Sequence, residues 1–262
     1  MEKPDIKQYK RYDRMQAVKG ISLTRALPNF ITLVALCIGF SGVRFALLQR
    51  WEAAVICIFI AAILDGMDGR LARLLRGSSR FGAELDSFAD ACNFGVAPAL
   101  IIYLYSLSEF KQIGWAVCLF YIICMVLRLA RFNTFLNAEQ PLDKSSRFFL
   151  GVSAPVGAIY ALLPLMLVFE FPEQLEIPKY FYLFYLIVIS LLLILPLPTF
   201  SFKGGRIPKK WGWVVFVGIG LVGIFMVTEP WLTLNFMGLC YALSFPWSYK
   251  AYHKMRRASL AP

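Results

Sequence analysis

The sequence has few charged residues for its length. Charged residues make up 16% of its 262 residues, and hydrophobic residues make up 59%. An average soluble domain is about 25% charged and about 45–50% apolar. A soluble protein of this size has too little interior to bury so much apolar surface, so the composition excludes a soluble enzyme and a disordered chain. The composition therefore predicts an integral membrane protein.

Histidine and paired cysteines are also lacking. The single histidine, His253, lies in a basic tail, and the six cysteines lie in apolar stretches without a CxxC pair. Unpaired cysteines in such stretches behave as small hydrophobic residues. A His-based catalytic triad, a His-rich metal site and a secreted disulfide scaffold are therefore excluded.

Apolar runs with the length of membrane-spanning helices follow one another along most of the chain. We predict an all-α, polytopic integral membrane helical bundle of about eight transmembrane helices. The predicted spans are 28–49, 51–71, 82–106, 112–132, 149–169, 179–198, 211–228 and 231–249.

The basic segment 1–27 contains interspersed apolar residues, which predicts an N-terminal interfacial amphipathic helix; a plain charged tail is the alternative. We expect residues 28–249 to form a single membrane domain and 250–262 to form a basic cytoplasmic tail.

The basic residues lie mostly on one side of this predicted bundle. With eight spans, 23 of the 27 lysines and arginines fall on the side that holds both termini. The positive-inside rule places that side in the cytoplasm. The positive charge then faces anionic membrane lipid, and no soluble basic domain is present to bind nucleic acid.

Four aspartates interrupt the apolar pattern where spans 2 and 3 meet the predicted cytoplasmic side. Asp65 and Asp68 have i, i+3 spacing, and Asp86 and Asp90 have i, i+4 spacing, so each pair shares one helix face. A tight turn at 76–80 separates the two pairs. We therefore expect two antiparallel helices whose carboxylates face each other.

Carboxylates this close repel one another strongly unless a counter-charge is present. Mg²⁺ and Mn²⁺ prefer hard oxygen ligands, and two such ions could bind a diphosphate between them. Gly66, Gly69 and Gly82 are costly in helices unless another group approaches the backbone closely. The structural alternative is an acidic helix pair that neighbouring arginines neutralise.

The same region resembles the signature of the CDP-alcohol phosphotransferase family. All eight fixed positions of that signature match Asp65-x2-Asp68-Gly69-x2-Ala72-Arg73-x8-Gly82-x3-Asp86-x3-Asp90. The resemblance implies an integral membrane enzyme that uses two divalent metal ions, Mg²⁺ or Mn²⁺, and forms a homodimer.

The resemblance also implies roles for single residues. The metal ligands would be Asp65, Asp68, Asp86 and Asp90, and Asp90 would also be the catalytic general base. The residues that bind CDP and its diphosphate would be Asp68, Gly69, Arg73, Gly82 and Asn29.

Three further segments resemble the phosphatidylserine synthase branch of this family: 93–99, 127–133 and 149–158. That branch implies CDP-diacylglycerol and L-serine as substrates, phosphatidylserine and CMP as products, and the bacterial inner (cytoplasmic) membrane as location. Arg128 and Arg131 are suited to the serine carboxylate or to a phosphate, and Asn133 to the headgroup. A topogenic or lipid-binding role for these arginines is the alternative.

Other functions remain open at this point. The same chemistry could use glycerol 3-phosphate, inositol phosphate or choline as acceptor. From a different class, intramembrane acids also occur in cation-coupled transporters, although there they lie near the bilayer midplane on broken helices. A non-catalytic scaffold gives no reason for the four aspartates.

Overall fold

The computed structural model of the chain describes residues 23–75, 79–137, 148–150, 153–195, 198–200 and 212–243. These residues are almost entirely helical, which confirms the all-α fold class for the described part of the chain. The helices are α1 (Leu23–Leu47), α2 (Trp51–Leu74), α3 (Arg80–Asp90), α4 (Ala97–Tyr105), α5 (Lys111–Asn137), α6 (Ala154–Glu170), α7 (Lys179–Ile194), α8 (Gly212–Thr228) and α9 (230–243).

Three helical stretches are long and apolar enough to cross a membrane: Ala26–Leu47, Phe81–Tyr105 and Leu107–Thr134. Helices α6, α7 and α8 are apolar but shorter. The total of eight transmembrane helices therefore stays a prediction. The proposed interfacial helix falls largely on residues 1–22, outside the described residues.

Helix α1 begins at Leu23, so Pro28 lies inside the helix and not at its start. Its buried residues recur at alternating intervals of four and three, which marks a single packing seam: Pro28, Thr32, Ala35, Gly39, Gly42 and Ala46. Small residues on such a seam let two helix backbones approach closely. A Cβ on Gly42 would lie only 2.9 Å from the carbonyl oxygen of Ala54 in α2. The opposite face exposes large apolar side chains such as Phe30, which is 63% exposed, as expected for a surface that faces lipid.

The third predicted span is interrupted in its middle by a π-helical turn, Ala91–Val96, between α3 and α4. A π-turn disturbs the regular ladder of backbone hydrogen bonds and is frequent at functional sites. Tyr121 of α5 is fully buried and donates its hydroxyl to the carbonyl oxygen of Phe94 at 2.9 Å. A side chain from another helix therefore satisfies a carbonyl of the turn that directly follows Asp90.

The hydrophobic core lies where α4, α5, α6 and α7 pack around the π-turn and against α2. Tyr121, Met125, Leu162 and Leu186 are fully buried there. The π-turn that continues from the C-terminal end of α3 is part of this core.

Residues 148–150 and 198–200 are extended strands, β1 (Phe148–Leu150) and β2 (Pro198–Phe200), that pair antiparallel. The predicted start of span 5 at 149 and end of span 6 at 198 are therefore wrong: α6 begins at Ala154 and α7 ends at Ile194. Prolines explain both helix ends. Pro155 favours the first turn of a helix, so α6 begins beside it. Leu195 precedes a proline and is therefore held in extended backbone, which ends α7 at Ile194. The pairing brings two predicted cytoplasmic linkers together.

Candidate active site

The four aspartates of the signature lie together at the junction of α2 and α3. Asp65 and Asp68 belong to the last part of α2, and Asp86 and Asp90 belong to α3. Carboxylate oxygens of Asp65, Asp68 and Asp86 all lie within 4.8 Å of one another. The carboxyl groups of Asp65 and Asp90 lie within hydrogen-bonding reach of each other. The two helices therefore bring all four side chains to one place.

The chemistry of this cluster suits a divalent cation. One oxygen of Asp86 and one of Asp90 are buried and have no hydrogen-bond partner among the described residues. Buried carboxylate oxygens without a partner are costly, and a hard cation is the counter-charge that such oxygens bind best. This cluster therefore has the composition and the spacing to bind a divalent cation.

Gly82 and Asn29 lie in direct contact across the α1–α3 interface. A Cβ on Gly82 would lie 2.7 Å from Oδ1 of Asn29, so the Asn29 side chain would have to move to admit a larger residue. The N–H of Gly82 also donates to Oγ of Ser79 at 3.0 Å, which makes Ser79 the N-cap of α3. In this structure Gly82 has a packing role that positions the helix carrying Asp86 and Asp90.

Gly69 and Gly66 differ from Gly82, because a Cβ on either would meet no atom within 4 Å. Their backbone therefore faces open space beside the aspartates. Arg73 is exposed and its Nε donates to the carbonyl oxygen of Gly69 at 3.0 Å. This open side of α2 has room for a substrate phosphate, with a guanidinium at its border.

The three residues assigned to the acceptor all lie on α5 but have different surroundings. Arg128 is close enough to Asp90 and Asp65 to interact with both electrostatically. Arg131 donates from Nη1 to the carbonyl oxygen of Ile194, the last residue of α7, at 2.8 Å. Asn133 donates from Nδ2 to Oγ of Ser87 at 2.8 Å. Arg128 therefore lies at the aspartates, and Asn133 contacts the helix that carries two of them.

Three polar residues near the aspartates were not assigned a site role from the sequence. Thr32 donates its hydroxyl to Oδ2 of Asp68 at 2.6 Å. Ser87, which follows Asp86, accepts the hydrogen bond from Asn133. Asn93 is buried in the π-turn, and its side chain lies so close to Gly39 that a Cβ on Gly39 would have no room. Thr32 could have been found, because it lies one helical turn after Asn29 on the same face of α1.

A cavity of about 670 Å³ lies elsewhere in the bundle, between α6, α7, the loop that joins them and α9. Its lining is almost entirely apolar and includes Leu163, Phe181 and Phe236. None of the four aspartates lines it. The candidate active site is therefore the open side of α2 and α3 and not this cavity.

A family model for CDP-alcohol phosphatidyltransferases matches residues 25–196, which include α1 to α7 and all four aspartates. This chain belongs to the CDP-alcohol phosphatidyltransferase family. A second model, CDP-alcohol phosphatidyltransferase 2, matches residues 210–246, the region of α8 and α9. The chain is therefore a transferase of a membrane-embedded family, and both its apolar helices and its relatives identify it as a membrane protein.

Several relatives of this phosphatidyltransferase have the name CDP-diacylglycerol–serine O-phosphatidyltransferase. The protein of that name from Mycobacterium leprae is 36% identical over 249 residues, which cover 95% of this chain and 81% of the relative. That from Mycobacterium tuberculosis is 35% identical over 233 residues, covering 89% of this chain and 81% of the relative. The protein of that name from Helicobacter pylori is 31% identical over 213 residues, which cover 81% of this chain and 86% of the relative. The match of this chain to the family is therefore confirmed over most of its length.

Proposed function

We propose that this phosphatidyltransferase transfers the phosphatidyl group of CDP-diacylglycerol to L-serine and produces phosphatidylserine and CMP. The observation that carries the proposal is the meeting of Asp65, Asp68, Asp86 and Asp90 at one place, in a chain whose relatives from three bacteria are named for this reaction. The relatives named here are transferases, which favours an enzyme over the cation-coupled transporter considered above.

Two divalent cations, Mg²⁺ or Mn²⁺, complete the site in this proposal, and the four aspartates hold them. Bound cations of this kind would neutralise the diphosphate and stabilise the charge on the leaving phosphate. The carboxylates of Asp65, Asp68 and Asp86 supply oxygen ligands within a few ångströms of one another, and the partnerless buried oxygen of Asp90 supplies a fourth.

Asp90 is the general base in the proposed reaction. Its carboxylate takes the proton from the serine hydroxyl, whose oxygen then attacks the β-phosphorus of CDP-diacylglycerol. A bond forms between this oxygen and the β-phosphorus, and the bond from that phosphorus to CMP breaks. No side chain forms a covalent intermediate, so the kinetics should be sequential and not ping-pong. Arg128 lies close enough to Asp90 for an electrostatic interaction, which puts a positive charge beside the proposed base.

The two substrates approach from different helices in this proposal. The nucleotide part of the donor lies on the open side of α2 against Gly69, where Arg73 contributes positive charge. Asn29 and Gly82, which contact each other between α1 and α3, are proposed to bind the same donor. The acceptor carboxylate binds on the α5 side, at Arg128 and Arg131, with Asn133 beside them. The acyl chains of the donor remain in the bilayer.

The location and the assembly are proposed from the sequence. The active site and both termini face the cytoplasm of a bacterial inner membrane, because the basic residues lie on that side. The enzyme is proposed to be a homodimer, as the family resemblance implies.

The decisive test is CMP release from CDP-diacylglycerol by the purified full-length chain with Mg²⁺ or Mn²⁺. We expect release with L-serine and not with glycerol 3-phosphate, inositol, inositol phosphate or choline. Asp90→Asn should lower the rate by about 10²–10⁴-fold, the contribution of a positioned general base. Glu84→Gln is the matched control, because Glu84 is an exposed acid on the same helix.

Each other outcome has a definite meaning. Release with a different acceptor would retain the aspartate chemistry and contradict serine. Equal rates in Asp90→Asn and Glu84→Gln would contradict the general base. A lack of CMP release with every acceptor, in protein that binds the donor, would contradict the phosphatidyl transfer itself.

A further inference from the structure

Helix α1 contacts the candidate active site along one face. Asn29 lies against Gly82 of α3, Thr32 is hydrogen-bonded to Asp68 of α2, and Gly39 lies against Asn93 of the π-turn. Asn29, Thr32 and Gly39 have the spacing of one helix face. Of these three contacts, only the one made by Thr32 involves an aspartate of the cluster.

The hydrogen bond between Thr32 and Asp68 is short and buried. The Thr32 hydroxyl lies 2.6 Å from Oδ2 of Asp68, a distance typical of a hydroxyl bound to a carboxylate. The same hydroxyl lies 3.1 Å from the carbonyl oxygen of Pro28, four residues earlier, which is the usual acceptor for the hydroxyl of a threonine in a helix. Because a hydroxyl has only one hydrogen to donate, Thr32 donates it to the closer and charged carboxylate of Asp68 and not to the carbonyl of Pro28. Thr32 and Asp68 are only 5% and 4% exposed, so water does not compete for this bond.

We propose that Thr32 is a positioning residue for the metal site, an inference that rests on the proposed function. By holding Oδ2 of Asp68, the Thr32 hydroxyl fixes the rotation of this carboxylate, which lies beside Asp65 and Asp86. A carboxylate free to rotate would lose entropy when it binds a cation, and residues that orient metal ligands therefore raise metal affinity. Thr32 lies outside the signature that carries the aspartates.

The test is Mn²⁺ binding to the purified full-length chain in detergent, measured without substrates by electron paramagnetic resonance of the free ion. Thr32→Val keeps the shape of the side chain and removes the donor, and we expect the dissociation constant for Mn²⁺ to rise about tenfold. Thr32→Ser keeps the donor and should remain within about twofold of the parent chain. Thr233→Val is the matched control, since that hydroxyl donates to the Glu229 carbonyl oxygen within its own helical segment.

A comparison of Thr32→Ser with Thr32→Ala guards against misfolding of the valine variant, because the two differ only by the hydroxyl oxygen. Weaker Mn²⁺ binding in Thr32→Ala than in Thr32→Ser supports the proposal. Equal affinities in the two variants overturn the positioning role and leave the proposed function intact. An absence of Mn²⁺ binding in the parent chain overturns both.

Discussion

Arg131 joins two helices that are far apart in the sequence. Its guanidinium on α5 donates to the carbonyl oxygen of Ile194 at the end of α7. The last carbonyls of a helix have no partner within the helix, and a cation there also offsets the partial negative charge of the helix end. Arg131 therefore stabilises the fold in addition to the acceptor role proposed for it.

Replacement of Arg131 should lower stability. Arg131→Gln loses a charged hydrogen bond, so we expect the free energy of unfolding to fall by about 1.5–3 kcal/mol. The melting temperature of the purified protein in detergent measures the change. Arg44→Gln is the control, since Arg44 is an exposed arginine near the end of α1. Equal melting temperatures for the two variants would contradict the capping role.

At the scale of an element, α1 shows how small residues position the site. Its seam of buried residues lets α2 approach so closely that Gly42 has no room for a side chain. The same helix contacts α3 and the π-turn, so its position determines how far α2 and α3 lie apart. Close packing of α1 is therefore a condition for the aspartate cluster.

Gly42→Ala should destabilise the protein, although alanine is the better helix former. The new Cβ would lie 2.9 Å from the Ala54 carbonyl oxygen, a backbone atom that cannot move alone. Overpacking of this kind costs about 1–3 kcal/mol, more than the gain of about 1 kcal/mol from helix propensity.

Gly218→Ala in α8 is the matched control, because a Cβ there would meet no atom within 4 Å. We expect Gly218→Ala to match or exceed the parent chain in thermal stability, measured by loss of monodisperse protein on heating. A Gly42→Ala variant as stable as Gly218→Ala would contradict the close packing of α1 and α2.

At the scale of the whole molecule, the proposed topology puts the α2–α3 turn and the α6–α7 loop on opposite sides of the membrane. Glu84 in α3 and Glu173 in the α6–α7 loop are both exposed. Each therefore offers a position for a thiol label without disturbing the core. The distribution of basic residues assigns the end of the third span that contains Glu84 to the cytoplasmic side and Glu173 to the outside.

Thiol labelling of whole cells tests this orientation. With the six cysteines replaced by alanine, Glu173→Cys should react with a membrane-impermeant maleimide in intact cells. Glu84→Cys should react only after the membrane is permeabilised. The reverse pattern would invert the topology, and labelling of both positions in intact cells would contradict an opposite placement.

The sequence alone determined the features that depend on local spacing and on composition. The apolar excess required a membrane protein, and the intervals between Asp65 and Asp68 and between Asp86 and Asp90 placed each pair on one helix face. The ends of α6 and α7 were missed because apolar runs continue past the prolines that break the helices. The π-turn was missed because its sequence has the same apolar character as a regular helix.

Contacts between distant segments could be decided only by the tertiary structure. Thr32 and Asp68 are 36 positions apart, and Arg131 and Ile194 are 63 positions apart. Such contacts depend on the distance and the rotation between helices. Packing between the helices sets both quantities, and the periodicity within one helix does not predict them. The sequence therefore located the aspartates, and the folded structure decided which residues hold them in place.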